Sequence, residues 1–289
     1  MSESRQLWTV LSMLEWATDY FEEKGVPSSR LSIEWILADV LEIKRLDIYL
    51  QFDRPLSEDE LNKIRPLVKR RAQHEPLQYI TGQTDFINSV IKVSPGVLIP
   101  RVETEQLVEI LLEEYKPQKN QPLKLLDIGT GSGCIPVSIK KEYENWNCTG
   151  LDISSDALEV ARQNAEFNSV DVSFIRGDIE KLEQLEAINH QEWDIVISNP
   201  PYITPVEIKE MDDQVLMFEP GLALFHESPL GLYKNIIEFS ASVNASLFLE
   251  CNDKFAHQIR EVTEQFYREV KLLEDLDGND RFIIASKPY

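Results

Sequence analysis

The stretch LLDIGTGSGCIPVSI, residues 125–139, constrains the fold more than any other part of the chain. It reads as an apolar strand, a turn carrying Gly129, Gly131 and Gly133, and then a helix. Glycine permits the positive backbone angles of a tight turn and lets a ligand approach the main chain. The helix behind the turn points its unpaired N–H groups at whatever binds there. Pro136 falls in the first turns of that helix, where a missing N–H matters least.

The same strand-then-helix rhythm continues to the end of the chain. Strands are expected at 124–128, 148–152, 172–176, 194–198, 246–250, 269–275 and 282–285. Helical patterns such as 155–168 and 232–241 separate most of them. Alternation of this kind implies an α/β fold, a mostly parallel Rossmann-like sheet with helices on both faces. Asp277-Gly278-Asn279-Asp280 is a turn signal that would make the last two strands a hairpin, adding an antiparallel strand at the edge.

The first 75 residues read differently, as a small helical domain. Leu11, Leu14, Trp16 and Phe21 form one approximate stripe, and Leu31, Ile33, Ile36, Leu37, Val40 and Leu41 a second. Ser57 with Glu60 signals a capping box for a third helix, which Pro66 is expected to bend or break. Residues 76–100, with strand-like Tyr79–Gly82 and Val90–Val93 among Gly82, Pro95, Gly96 and Pro100, read as a hairpin linker. Residues 101–289 form the remaining domain.

Three scattered cysteines suit a reducing compartment, and no Cys/His cluster has metal-ligand spacing, so no metal is expected. The amino terminus carries no leader pattern, and no apolar run reaches the ~20 residues that cross a bilayer. A cytoplasmic monomer without a membrane partner is expected. The net charge of −21 disfavours a protein that lives on nucleic acid, whose binding needs cations against phosphate. The one basic run, Lys63, Arg65, Lys69, Arg70 and Arg71, reads as a solvated helix face.

The glycine loop does not fit the dinucleotide fingerprint. Counted from Gly129, the sixth place is Cys134; counted from Gly131, it is Pro136. What stands here is G-x-G-x-G behind Asp127. Asp152 closes the next strand, where a carboxylate can accept from both ribose hydroxyls, and Asp178 follows the third, where it can accept from an adenine amino group. Singly, a glycine loop can be a mere turn and such an Asp a helix cap. In order on successive strand ends they describe an adenosine without a pyrophosphate, which points to S-adenosyl-L-methionine.

Asn199-Pro200-Pro201-Tyr202 ends the fourth strand of the sheet, expected beside the first. Prolines remove backbone donors and leave carbonyl acceptors, and the asparagine side chain adds another acceptor. Such a site suits a planar –NH2 group, held by Asn199 Oδ1 and the Pro200 carbonyl, with Tyr202 stacked on it. An amide or aromatic amine nitrogen is a weak nucleophile because its lone pair is delocalised. Acceptors that hold its N–H bonds can aim that lone pair at a methyl donor.

With these residues in place the chain resembles the HemK/PrmC-type protein-(glutamine-N5) methyltransferases. EPLQYITGQTDF (75–86), VSPGVLIPRVETE (93–105), LLDIGTGSGCI, SNPPYI, FEPGLALF (218–225) and GNDRFIIA occur in that family's order. Val102-Glu103 stands where the family is usually written Pro-Asp, and His226-Glu227-Ser228-Pro229 where it often has glycines. The resemblance implies a helical N-terminal substrate-recognition domain and a class I SAM-dependent methyltransferase domain with a seven-stranded sheet. It implies as substrate the glutamine of the Gly-Gly-Gln motif in bacterial class I peptide chain release factors. Asp127, Gly129, Thr130, Gly131, Ser132, Gly133, Asp152 and Asn199 would bind the cofactor, and Asp178 and Ile179 would line the adenine. Asn199, Pro200, Pro201 and Tyr202 would hold the target amide, with Asn199, Pro200 and Tyr202 catalytic. Phe86, Arg101 and Glu105 would lie near the methionine end and the target.

Two other functions use the same parts. An adenine-N6 or rRNA guanine-N2 methyltransferase would share the tetrapeptide but should carry a broad basic surface. A non-catalytic adaptor on a dead methyltransferase fold would have no need of an intact Asp127, glycine loop, Asp152 and Asn199.

Overall fold

Thr9 starts the first helix through a reciprocal cap: its hydroxyl accepts from the Ser12 amide at 3.2 Å, and the Ser12 hydroxyl accepts from the Thr9 amide at 2.8 Å. The helix, α1 (Val10–Glu23), buries Val10, Met13, Leu14, Ala17 and Phe21. That spacing is one face at 3.6 residues per turn, and Trp16 lies off it, exposed and stacked on Tyr20 at 5.5 Å. In α2 (Ser29–Leu41), Ile33, Ile36 and Leu37 enter the same core while Leu31 stays exposed. The expected capping box opens α3 (Glu58–Arg71). The expected break at Pro66 does not occur. Pro66 sits on the exposed side, and Leu61, Ile64 and Val68 anchor both halves of the helix on one core.

The computed structural model describes residues 7–204, 207 and 213–289, and the chain divides into two compact units, Met1–Gly82 and Gln83–Tyr289. Tyr79–Thr81 are helical rather than extended, within α4 (Leu77–Thr81). The Tyr79 and Ile80 amides both donate to the Pro76 carbonyl at 3.1 Å, so their backbone groups are met within the turn rather than by a neighbouring strand, and both side chains are buried. Gly82, at φ +73°, ends the turn.

In the second unit β1 (Gln83–Phe86) and β2 (Ser89–Lys92) pair as an antiparallel hairpin. After α5 (Val102–Tyr115), the strands β3 (Lys124–Ile128), β4 (Asn147–Asp152) and β5 (Ser173–Arg176) alternate with α6 (Cys134–Glu142) and α7 (Ser155–Phe167). Then come α8 (Glu186–Asn189), β6 (Ile195–Ser198), α9 (Asp213–Phe218), α10 (Gly221–Leu224), α11 (Pro229–Ser242), β7 (Ser246–Glu250), α12 (Ala256–Thr263), β8 (Tyr267–Glu274) and β9 (Asp280–Pro288). The seven-stranded sheet runs β5-β4-β3-β6-β7-β9-β8, parallel except for β9.

The terminal hairpin forms, but its antiparallel member does not lie at the edge. β9 inserts between β7 and β8. Phe282, Ile283, Ile284 and Ala285 are buried in succession, so both faces of β9 are covered; β8 exposes Arg268, Glu269, Lys271 and Glu274, as suits an edge.

Strand order reverses between β3 and β6, and the crevice for a ligand opens at their carboxyl ends. Asn164 on α7 ties the hairpin to the crevice's rim. It donates to the carbonyls of Lys92 and Ser132 and accepts from the Lys92 amide at 2.7 Å.

Candidate functional site

Gly129 and Thr130 each donate to the Leu151 carbonyl, at 2.8 and 2.9 Å, so the loop after β3 folds onto the end of β4. Gly129, Gly131 and Gly133 all have positive φ, at +77°, +53° and +76°. Their surroundings divide them. A methyl on Gly133 would meet Ala161 Cβ at 2.9 Å, and one on Gly150 beneath the loop would meet Thr130 Oγ1 at 2.7 Å. These two glycines exist for close packing. At Gly129 and Gly131 a methyl would point into open space, and that opening is the cradle.

Asp152 braces the cradle, its two oxygens accepting from the Gly131 and Ser154 amides at 2.8 and 2.9 Å. Burial pushes its carboxyl above the usual range, against the pull of those amides. Asp127 lies wholly buried under the loop beside the Thr130 hydroxyl, and among the described residues neither its oxygens nor that hydroxyl makes a hydrogen bond of ordinary geometry. Burial pushes Asp127 up to about 7, opposed in part by the nearby Thr130 hydroxyl and reinforced by the Asp152 charge. Two carboxylates so placed favour a cationic ligand, whose charge would return them to the ionised form. An open glycine cradle over orphaned acidic oxygens fits a sulfonium-bearing adenosyl group.

Asp178 caps the short helical turn 179–184, accepting from the Glu180 amide at 3.0 Å and from Lys181 Nζ at 2.8 Å. Its pairing with Lys181 holds it below the ordinary carboxylate range. Ile179 packs partly buried against the main core.

Ser198 donates to the Ile128 carbonyl at 2.6 Å, which locks the end of β6 to the residue before Gly129 and brings Asn199 beside the cradle. Asn199 Nδ2 donates to Thr104 Oγ1 at 2.9 Å. Thr104 in turn donates to Glu250 Oε2 at 2.8 Å, and the Tyr202 hydroxyl reaches Glu250 Oε1 at 3.4 Å. Among the described residues nothing donates to Asn199 Oδ1. Thr104 and Glu250 are the residues that sequence reasoning missed. Glu250 closes its strand, Ser246–Glu250, just as Asp152 closes β4, and that was the available signal.

Beyond the tetrapeptide, Glu207 pins the chain. It accepts from the Thr204 amide and hydroxyl, both at 2.8 Å, and from Lys254 Nζ at 2.9 Å. Arg101 grips the buried Glu219 at 2.5 Å, while the other Glu219 oxygen accepts from the Ile99 amide. Phe86 is fully buried, and one oxygen of the half-buried Glu105 accepts from the Ile87 amide at the hairpin turn.

The basic run of the first unit is partly internal. Arg71 is buried, bonding Ser32 and the carbonyls of Pro27 and Glu75, and Arg70 pairs with Glu75, leaving Lys63, Arg65 and Lys69 exposed. The three cysteine thiols are buried and pushed up to about 12, unsuited to nucleophilic work. Among the described residues no acidic or Cys/His group could hold a metal, and no helix is long and apolar enough to cross a membrane.

Comparison with known proteins places both parts of the chain in known families. The family described as PrmC N-terminal domain matches residues 12–82, and that described as Methyltransferase domain matches 119–266. Among curated relatives, the release factor glutamine methyltransferase of Leptospira interrogans is 34% identical over 96% of this chain and 98% of its own. That of Flavobacterium psychrophilum is 38% identical, covering 91% and 92%. That of Bacteroides thetaiotaomicron is 37% identical, covering 87% and 90%. Among solved structures, the hMettl16 catalytic domain in complex with MAT2A 3'UTR hairpin 1 superposes with a TM-score of 0.55 at 18% identity, covering 81% of this chain and 82% of that one, a likeness of fold alone.

Proposed function

This chain belongs to the release factor glutamine methyltransferase family, and we propose that it moves a methyl group from S-adenosyl-L-methionine to a glutamine side-chain amide nitrogen, N5, in the Gly-Gly-Gln motif of bacterial class I peptide chain release factors. The observation that carries the reading is the Asn199 amide, whose NH2 is committed to Thr104 so that its oxygen is the end left for a target.

When bound, S-adenosyl-L-methionine supplies an electrophilic methyl on sulfur. The chain's residues do the rest. Gly129, Thr130, Gly131, Ser132 and Gly133 shape the cradle, Asp127 and Asp152 favour its positive charge, Asp152 takes the ribose hydroxyls, and Asp178 and Ile179 border the adenine. Asn199 Oδ1 and the Pro200 carbonyl accept from the target –NH2, Pro201 keeps the turn free of a competing donor, and Tyr202 covers the flat amide and excludes water. Held this way the nitrogen's lone pair can be turned out of conjugation and aimed, and the methylated nitrogen gives up its extra proton to solvent as the product leaves the covered site. Arg101, through its grip on Glu219, shapes the segment that follows the tetrapeptide.

The first unit is the substrate-recognition domain in this reading. A protein target is favoured over a nucleobase by the net charge of −21 and by the internal use of Arg70 and Arg71. The same reading makes the protein a cytoplasmic monomer.

The test is label transfer. Purified protein with methyl-labelled S-adenosyl-L-methionine is expected to label an intact release factor and not one whose motif Gln is replaced by Ala. Label on nucleic acid with none on the release factor overturns the proposal.

A further inference from the structure

Asn199 can present either end of its amide to a target, and only one end can accept from an –NH2 group. Counting protons along the buried chain decides which. Glu250 is fully buried at the end of β7, and as a carboxylate it can only accept. Thr104 is buried in the first turn of α5, and its single hydroxyl hydrogen is drawn to Glu250 Oε2 at 2.8 Å. The Thr104 oxygen is then an acceptor toward Asn199, so the Asn199 NH2 must face it, at 2.9 Å. With Glu250 ionised, the outcome does not depend on how the amide is drawn; it follows from where the protons can be.

We infer that Thr104 and Glu250 are positioning residues of the transfer reaction, and that the Glu250–Thr104–Asn199 chain keeps the Asn199 oxygen turned toward the target nitrogen. This rests on the glutamine-methylating role proposed above but assigns work to two side chains outside the tetrapeptide. The chain is also reversible. A protonated Glu250 can donate to Thr104, whose hydrogen is then free to meet Asn199 Oδ1, turning the amide over and pointing its donors at the target. Burial pushes Glu250 up to about 7, opposed by the Thr104 hydrogen bond and by Arg281 and reinforced by Glu103. Of the other titratable groups facing it, Tyr202, Tyr233 and Arg281 are each raised above their ordinary values, and Cys251 is pushed up to about 12. The acceptor orientation therefore belongs to the alkaline side of neutrality, and turnover is expected to rise with pH through that region.

The experiment uses the full chain with Thr104→Val, Thr104→Ser and Glu250→Gln. Thr104→Val keeps the shape and removes the relay; kcat on the release factor is expected to fall about 10–100-fold while affinity for S-adenosyl-L-methionine stays within about threefold. Thr104→Ser, which restores the hydroxyl, is expected to recover kcat to within about fivefold of the wild type. A wild-type kcat in Thr104→Val overturns the inference, as does a folded Thr104→Ser that recovers nothing. A second readout needs no turnover: the 15N-labelled side-chain amide signal of Asn199, assigned by its loss in Asn199→Asp. It is expected to titrate near neutrality in the wild type, to move in Thr104→Val and to stop titrating in Glu250→Gln. Asp127 also lies near neutrality, but Glu250→Gln leaves it in place. A wild-type protein that labels no release factor yet shows this pattern supports the positioning chain and counts against the glutamine target. An Asn199 signal indifferent to both variants overturns the chain whatever the target is.

Discussion

Asp152 Oδ2 accepts from the Gly131 amide at 2.8 Å, so the acid that ends β4 is bonded to the loop that ends β3. Its other oxygen holds the Ser154 amide, one residue before α7 begins. One carboxylate thus fixes the shape of the cradle while keeping lone pairs for a ligand. Asp152→Ala is expected to weaken S-adenosyl-L-methionine binding by at least about tenfold, the scale of a lost hydrogen bond to a charged group. Asp152→Asn should fall between, since its one carbonyl oxygen keeps one of the two amides. Titration calorimetry checks this, and an Asp152→Ala affinity within twofold of wild type removes Asp152 from the site.

The glycines should separate by substitution. Gly133→Ala places a methyl 2.9 Å from Ala161 Cβ at φ +76°, and should cost roughly 1–3 kcal/mol in overpacking beyond the left-handed strain. Gly131→Ala carries strain of about 1–2 kcal/mol but points its methyl into the open cradle, so ligand affinity should suffer more than stability. Denaturant unfolding and calorimetry on the two variants should rank them in opposite orders.

Asp127 ties stability and binding to pH in opposite senses. Its carboxyl rises from an ordinary 3.8 to about 7 on folding, so the folded chain holds a proton that the unfolded chain releases between those values. Ligand-free stability should therefore fall as pH rises through that window, and the slope should flatten in Asp127→Asn. Binding of the cationic cofactor should instead strengthen from pH 6 to pH 8 as Asp127 ionises. Chemical denaturation and calorimetry across pH test both signs.

Glu207 works at the acid end. Burial opposes its charge, but Lys254 and the Thr204 amide and hydroxyl outweigh burial and bring it down to about 2. The stability it contributes is present above its ordinary 4.5 and lost as pH falls toward 2. Glu207→Ala should leave the sheet intact but speed hydrogen exchange at the Thr204 amide, which donates to it at 2.8 Å.

Much of the architecture was legible because it rests on local rules. The strand periods placed β3 to β9 to within a few residues, and the Ser57–Glu60 cap marked the start of α3. Failures came where neighbours outvoted the local pattern. Tyr79 and Ile80 became helical because both had a core to enter, and Pro66 was carried through α3 by the packing on either side of it. In the candidate site, the glycine loop and the tetrapeptide could be read because each is a run of neighbours in sequence.

The link among Thr104, Asn199 and Glu250 could not be read in that way. They stand 95 and 146 residues apart along their two hydrogen bonds, and nothing local marks them as one chain. The amino-acid sequence by itself determined the repeating elements, the turn at Gly129, Gly131 and Gly133, and the acceptor-rich end of β6, since each follows from backbone freedom and side-chain period within a few residues. Only the tertiary structure decided that β9 lies inside the sheet, that Gly133 is for packing while Gly131 faces space, and which groups hold the Asn199 amide. Those outcomes depend on which distant groups are buried together, where an unpaired proton or a misplaced methyl costs too much to leave the alternatives open.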